Sequence, residues 1–343
     1  MTVKFCYVVL AHTDALGMLR LVRRIRTLSP ACDIVVRHER ADYVDPDQVQ
    51  HAGGIPYLSR VDVRWGDWTQ VEMMLGAFAF AAGVSDADYF ALVSGQDYPI
   101  RDLGSWEQEV AQAGLDALLE PLPPQPQNHV IRWSVATLRS SGIDLVDRAT
   151  RFALNRVGAA LNPIAYAHTS GRPNDDRVWV GVSRRFAAPA PMRVTKCAQW
   201  MTLSAAALDA VLTRDRDDRS SRRFFEHVKI PDESYVASLV HDTAGLLVAH
   251  GETSAKEFRE GHGSPEWVDL ETLDIFRRRS AAPFARKVPP EVDPAVIAAM
   301  DGLSRRTATQ VWSDIVAAGR PTDAVMWRDI VPATVVSARL GLR

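Results

Sequence analysis

At Pro231-Asp232-Glu233 two carboxylates stand side by side, between a short apolar stretch and the start of a helical pattern. Such a pair has two uses. Proline in a first turn with acidic neighbours is a common helix start, where the acids meet exposed N–H groups. Alternatively, one carboxylate faces a cleft and takes a proton from a hydroxyl nucleophile while the other points to a cap or to solvent. Like charges at that spacing raise one of the two pKa values, which suits a base. A second candidate is Ser94-Gly95-Gln96-Asp97, at the end of an apolar run. Gly95 lets the chain turn closely. Gln96 and Asp97 can bond ligand hydroxyls, or Asp97 can bond its own backbone in a strand-end turn. The third candidate is Arg286-Lys287, a basic pair following Pro283-Phe284-Ala285. It reads either as a solvated face or as a planar fork plus a point charge for anionic oxygens.

Asp-x-Asp occurs at Asp45/Asp47, Asp86/Asp88 and Asp215/Asp217. A pair of this kind can hold a divalent ion at a strand end, but these lie before or between elements, or in a run of alternating charge. The strand running into Asp97 offers one carboxylate where a metal site would want two, so no metal is expected. The sequence has no Gly-rich phosphate-binding fingerprint, no Gly-x-Ser-x-Gly and no zinc-spaced His/Cys cluster. A formal net charge of −2 over 343 residues gives no general field for nucleic acid. Cys6, Cys32 and Cys197 are scattered and read as reduced core thiols of a cytoplasmic protein. The early run "VKFCYVVLAH" is too short and too weakly basic for a signal peptide, and no stretch is long and apolar enough to span a bilayer.

These candidates need a scaffold, and at 47% hydrophobic the chain can bury a substantial core. "KFCYVVL" is patterned as a strand, and Leu16, Leu19, Val22, Ile25 and Leu28 fall on one face of a helix capped by Asp14. "CDIVVRHE" and "VDVRW" read as a second and third strand, "TQVEMMLGAFAFAAG" as a helix, and "DYFALVSGQDYPI" as a fourth strand running into a polar loop. Strand–helix alternation with short connections predicts a mostly parallel, helix-covered sheet, with ligands at the carboxyl ends of its strands. "PLPPQPQ" breaks the pattern as a loop. Residues 144–161 are predicted helical, "TKCAQWMTLSAAALDAVL" gives a strand and a helix, and "DPAVIAAMDGL" opens a helical tail with Asp293 as cap and Pro294 at the first position.

Taken in order, these segments resemble the Core-2/I-branching N-acetylglucosaminyltransferases and the related peptide O-xylosyltransferases. "YVVLAHTDALGMLRLVRRI", "VRWGDWTQVEMML", "YFALVSGQDYPI", "CAQWMTLSAAALDAVL", "IPDESYVASLV" and "FARKV" carry the likeness over most of the first 288 residues. The resemblance implies a GT-A-type fold, a Rossmann-like mostly parallel sheet flanked by helices with a C-terminal helical extension. It divides the chain into a transferase domain over 1–290 (nucleotide-binding half 1–110, acceptor and catalytic half 111–290) and an extension over 291–343. It implies inversion at the anomeric carbon without a metal, Glu233 as general base, and Arg286 and Lys287 on the donor diphosphate. Ala11, His12 and Glu39 map to nucleotide contacts. Asp97, Gln96, Asp232, Trp200 and Trp68 are candidate substrate contacts, with Trp65 and Trp133 further candidates for packing on sugar faces.

Two departures stand out: the second strand ends in Arg37-His38-Glu39 where the family has His-x-Asp, and Cys197-Ala198 replaces Gly-Ser before the Gln-Trp. The first bears on base preference. The expected activity is transfer of a GlcNAc- or xylose-like sugar from a UDP-sugar to a hydroxyl of a carbohydrate or small-molecule acceptor, by a bacterial, cytoplasmic enzyme. No nucleic acid partner and no integral membrane segment are expected. The alternative is a non-catalytic nucleotide- or carbohydrate-binding protein on the same fold.

Overall fold

The computed structural model describes residues 3–38, 40, 42–122, 131–138, 141–162, 164–169, 177–183, 190–259, 264–319 and 331–332. Its strands are β1 (Phe5–Leu10), β2 (Asp33–His38), β3 (Ile55–Leu58), β4 (Tyr89–Ser94), β5 (Asp97–Pro99), β6 (Ala117–Pro121), β7 (Ile131–Thr137), β8 (Ala165–Thr169), β9 (Arg177–Ser183), β10 (Cys197–Ser204), β11 (Leu247–His250), β12 (Ser254–Ala255), β13 (Phe284–Arg286) and β14 (Val331–Pro332). The helices used below are α1 (Ala15–Leu28), α2 (Pro46–His51), α3 (Thr69–Val84), α4 (Leu103–Gln112), α5 (Asp144–Leu161), α6 (Ala205–Asp217), α7 (Arg219–Phe225), α8 (Tyr235–His241), α9 (Leu270–Arg279), α10 (Pro294–Leu303) and α11 (Ala308–Ala317).

The central sheet has the order β14-β11-β6-β10-β4-β1-β2-β3. β3, β2, β1 and β4 are mutually parallel, as are β6 and β11, while β10 runs antiparallel between β4 and β6. The expected mostly parallel, helix-flanked sheet is therefore present. β1 shows why it forms. All its side chains are buried, and alternate ones face opposite cores: Cys6, Val8 and Leu10 meet the α3, α6 and α8 side, and Phe5, Tyr7 and Val9 meet the α1 and α4 side. A strand covered on both faces reads as an unbroken apolar run rather than an alternating one.

The third strand falls elsewhere than the sequence suggested. It is Ile55–Leu58, while 61–65 adopts no strand. The β-branched alternation Val-Asp-Val instead lays Val61 and Val63 against the core from a loop. β3 ends the strand order, where Pro56 costs the ladder no interior donor.

A short sheet, β12-β13-β5, packs beside the main one, and Tyr98, Ile100 and Val288 share its core with Val296 and Met300 of α10. The C-terminal helices are thus built onto the body of the main sheet: Arg24 reaches Asp301 at 3.2 Å, and the Asp102 N–H donates to the Arg306 carbonyl. A third sheet, β7-β9-β8, is antiparallel, with α5 packed along β8.

Candidate active site

The carboxyl ends of β1, β2 and β4 meet at one edge. The Ala11 N–H donates to the Arg37 carbonyl and the Gly95 N–H to the Leu10 carbonyl, each at 2.9 Å. A β-carbon at Gly95 would lie 3.2 Å from the Ala11 methyl and 3.4 Å from its Cα, so a side chain here would have to push the two crossing segments apart by a few tenths of an ångström. Ala11 is buried there and His12 is exposed beside it. Glu39 lies outside the described residues. Its neighbours Arg37 and His38 are buried, with Arg37 donating to the Val61 carbonyl at 3.1 Å.

Asp97 follows that turn, in β5, and pairs across the antiparallel ladder with Arg286 of β13. No part of its side chain is exposed. Oδ2 accepts from the Ser94 N–H (3.0 Å) and the Ser254 hydroxyl (3.2 Å), and Oδ1 lies 3.4 Å from Arg286 Nε without an aligned hydrogen bond. Backbone bonding, one of the two options open from the sequence, is thus the geometry found. Burial raises the Asp97 pKa, opposed by the Arg286 charge and the Ser94 N–H. Asp97 reaches Arg286 and holds it in place.

The Arg286 guanidinium sits over the Trp200 ring at 3.8 Å, and its buried Nη1 has no hydrogen-bond acceptor among the described residues. Burial pushes its pKa down, while Asp97 and then Glu120 push it back. Glu120, in β6, is itself nearly buried and paired with Lys256; burial raises its pKa. Lys287 places its ammonium 4.6 Å from the Trp267 ring centroid. Gln96, half-buried, accepts from the Val288 N–H through its carbonyl at 2.9 Å, which laces the basic pair to the 94–97 turn.

Pro231–Glu233 forms a single 3₁₀ turn after Ile230, whose φ is +55°. Ser234 separates it from α8, and no side chain caps either element. The helix-start option is present in part: Pro231 opens the turn with both acids in it, but neither acid caps it with its side chain. Asp232 is buried with Oδ1 unpaired, and its pKa is pushed up to about 7, first by burial and then by the Glu233 charge beside it. Glu233 is about one quarter exposed (28% for its side chain), and its carboxylate is 3.1 Å from Nζ of the buried Lys196.

Lys196 immediately precedes β10. Because β10 runs against its neighbours, its first residues lie at the edge where β4 and β6 end, with Cys197 opposite Pro121. One strand thus carries the partner of Glu233, Lys196, and the ring beneath Arg286, Trp200. Four residues of chain span at most about 14 Å.

The remaining sequence candidates fall elsewhere. Trp68 is buried in the core, edge-on to Tyr235 at 4.9 Å with Arg222 over its ring at 5.3 Å, so it is a packing residue and not a platform for sugar. Trp133 is buried against Trp179 at 6.1 Å in the third sheet. Asp45 caps α2, Asp86 and Asp88 bond Lys4, Asp215 bonds Tyr235 and Arg222, and Asp217 pairs with Arg216. Among the described residues no three His, Cys, Asp or Glu side chains come together as metal ligands. Lys196, Glu120 and Lys256 were not singled out from the sequence. A lysine directly ahead of an apolar strand is a signal only once that strand is known to run backwards.

Fold and site define an α/β protein with buried, paired charges gathered at the carboxyl edge of its sheet. The profile of the Core-2/I-branching enzyme matches residues 7–275, and the chain belongs to that family. It is a glycosyltransferase family. No curated protein matches. Solved structures with some similarity include a cytidylyltransferase from Leptospira borgpetersenii (13% identity, TM-score 0.25, 35% of this chain and 54% of that one). Others are a protein of Bacillus anthracis described as a glucose-1-phosphate thymidylyltransferase (11%, 0.29, 64% and 78%) and CMP:2-keto-3-deoxy-manno-octonic acid synthetase (11%, 0.29, 63% and 84%). The chain spans about half the length of the first of these. At such scores the likenesses carry no argument. Among the described residues no helix is long and apolar enough to cross a membrane.

Proposed function

We propose that the protein is a metal-independent, inverting glycosyltransferase that moves a sugar from a UDP-sugar to an acceptor hydroxyl, with Glu233 as base. The acceptor oxygen attacks the anomeric carbon from the face opposite the diphosphate. As the new C–O bond forms, its proton passes to Glu233 and the bond to the diphosphate breaks. Arg286 and Lys287 receive the charge on departing UDP, and Glu233 returns its proton to solvent through its exposed side. A positioned base contributes ~10²–10⁴ in rate. Fixed cations act on charge that grows in the transition state, so they serve turnover as well as affinity. Ala11, His12 and Glu39 are read as nucleotide contacts, and Trp200 and Gln96 as neighbours of the transferred sugar. Asp97 acts through Arg286. A cytoplasmic, reducing setting in a bacterium belongs to the same reading, supported by three buried free thiols.

The observation that carries the proposal is β10, which joins Lys196, the partner of Glu233, to Trp200, the support of Arg286. The test is UDP release from a panel of nucleotide sugars, with and without EDTA. Glu233→Gln is expected to lose ~10²–10⁴ in turnover at unchanged UDP affinity. Full turnover in that variant would end the base assignment. Loss of activity in EDTA, restored by Mn²⁺, would overturn metal independence.

A further inference from the structure

Between β6 and β10 the chain leaves the central sheet to build β7, β8, β9 and α5. Of the seventeen large apolar side chains exposed among the described residues, ten lie between Val135 and Val182 in this excursion. Scattered singly, exposed apolar residues need no explanation, whereas a cluster of them marks a surface that something covers.

The helix of the excursion is mounted the wrong way round. A helix on a globular body normally turns its apolar face inward. In α5 the residues turned toward the body are Asp147, Arg151, Leu154 and Gly158, at the spacing of one helical stripe. Leu145, Val146, Phe152, Val157 and Leu161 face out, with Leu145 at 74% and Phe152 at 63% exposure. The mounting is fixed. A β-carbon at Gly158 would collide with the Ala167 carbonyl, so the helix lies flush on β8, and Asn155 accepts from the Thr169 N–H at 3.1 Å. Rolling the apolar arc inward would break both contacts. At the end of the helix Leu161 lines one recess with Val180 and Val182, which carries the apolar surface onto the sheet.

Whatever covers this arc must also accept positive charge. Arg156 stands on it, exposed, with its guanidinium 5.6 Å from the Phe152 ring centroid and no carboxylate partner among the described residues. Arg148 lies at the border of the arc, 3.8 Å from the exposed Asp144. Asp147, the other acid of the helix, is on the side of the body. A second copy packed antiparallel about Phe152 would bring Arg156 and Arg148 of opposite copies together, like charge on like. An anionic lipid surface meets both demands. Apolar side chains enter the boundary between headgroups and acyl chains, and arginines reach the phosphates along their aliphatic stems. Five charged residues in the eighteen of α5 keep such a helix on the surface and not through it.

We propose that the outer face of α5, with the adjoining valines of β9, is a docking surface by which the protein lies on an anionic bilayer without crossing it. The net charge of −2 gives the chain no long-range pull, so the attraction acts at contact. The inference goes beyond the reading of Glu233 and does not depend on it.

Sedimentation of the full-length chain with vesicles tests it, using phosphatidylcholine alone and phosphatidylcholine mixed in equal parts with phosphatidylglycerol. The exposed charges of α5, Asp144, Arg148 and Arg156, leave one net positive. Partition onto the mixed vesicles is therefore expected to be at least ~5-fold higher, and to fall with salt. Phe152→Glu and Leu145→Glu, at exposed positions where substitution spares the fold, should each lower it by ~10-fold or more. Arg156→Gln should remove the preference for anionic lipid. Val316→Glu, at an exposed apolar position on α11, should change nothing. Wild-type protein that stays off both kinds of vesicle, or partitions equally onto them, overturns the inference, as does an equal loss in Val316→Glu. A dimer in sedimentation velocity that Phe152→Glu dissolves, with no vesicle binding, gives the arc to a second copy and overturns the lipid assignment.

Discussion

Replacing Arg286 by methionine should cost stability and donor binding together, and a second substitution should separate the two. Arg286 is buried between the Trp200 ring and Asp97, whose side chain is fully enclosed. Breaking a buried ion pair from one side costs ~3–5 kcal/mol, because the remaining charge has no counter-ion. The pair here is 3.4 Å apart without an aligned hydrogen bond, and burial already raises the Asp97 pKa, so protonation offers a partial escape. The expected loss is at the low end, ~3 kcal/mol. Asp97→Asn keeps an oxygen for the Ser94 N–H and the Ser254 hydroxyl while removing the stranded charge. The double variant Arg286→Met/Asp97→Asn should therefore regain most of the lost stability in urea denaturation. It should not regain UDP affinity, which falls ~10–100-fold by calorimetry for the loss of charge-assisted hydrogen bonds. A single Arg286→Met variant as stable as the wild type would refute the pairing argument. Unchanged UDP affinity in either variant would refute the diphosphate role.

Lys196→Met frees Glu233 from its anchor and is expected to lower turnover by ~10²-fold, the effect of a misplaced reacting group, with UDP affinity kept; equal loss of both would show a different role. Asp232 keeps its proton to about pH 7 in the folded chain against 3.8 when unfolded, so its stabilising protonated form is fully present below pH ~4 and is lost as pH rises through 7. That amounts to at most about 4 kcal/mol, and Asp232→Asn should flatten melting temperature against pH between 4 and 8. Gly95→Ala brings a methyl to 3.2 Å from that of Ala11, against backbone fixed by the Gly95–Leu10 hydrogen bond, and should destabilise by ~1–3 kcal/mol in thermal denaturation.

The parts of the fold set by local pattern were legible in the sequence. Asp14 caps α1, residues 144–161 form α5, and Asp293 with Pro294 opens α10, because caps and periodicity act over a few residues. What depends on distant partners was not legible. Val61–Trp65 has the composition of a strand, yet β2 pairs with Ile55–Leu58 instead. Trp68 became core because Tyr235, far along the chain, packs against it. The direction of β10 leaves no mark in "TKCAQWMTLS", and so Lys196 could not be placed at the ligand edge. Glu233 and the basic pair were visible as residue types in order, while the burial that distinguishes Glu233 from Asp232 is tertiary.

The register of β10 slips between Cys197 and Met201, where its pairing with β6 is interrupted. Trp200 lies within that interruption and Lys196 just ahead of it. An irregular stretch of backbone therefore works as a caliper whose jaws hold Glu233, through Lys196, and Arg286, over Trp200. Inserting or deleting one residue there would change the gap between Lys196 and Trp200 and turn one of the two to the other face of the strand. The length of that short stretch thus becomes a tuning element, set apart from the identity of the groups it spaces.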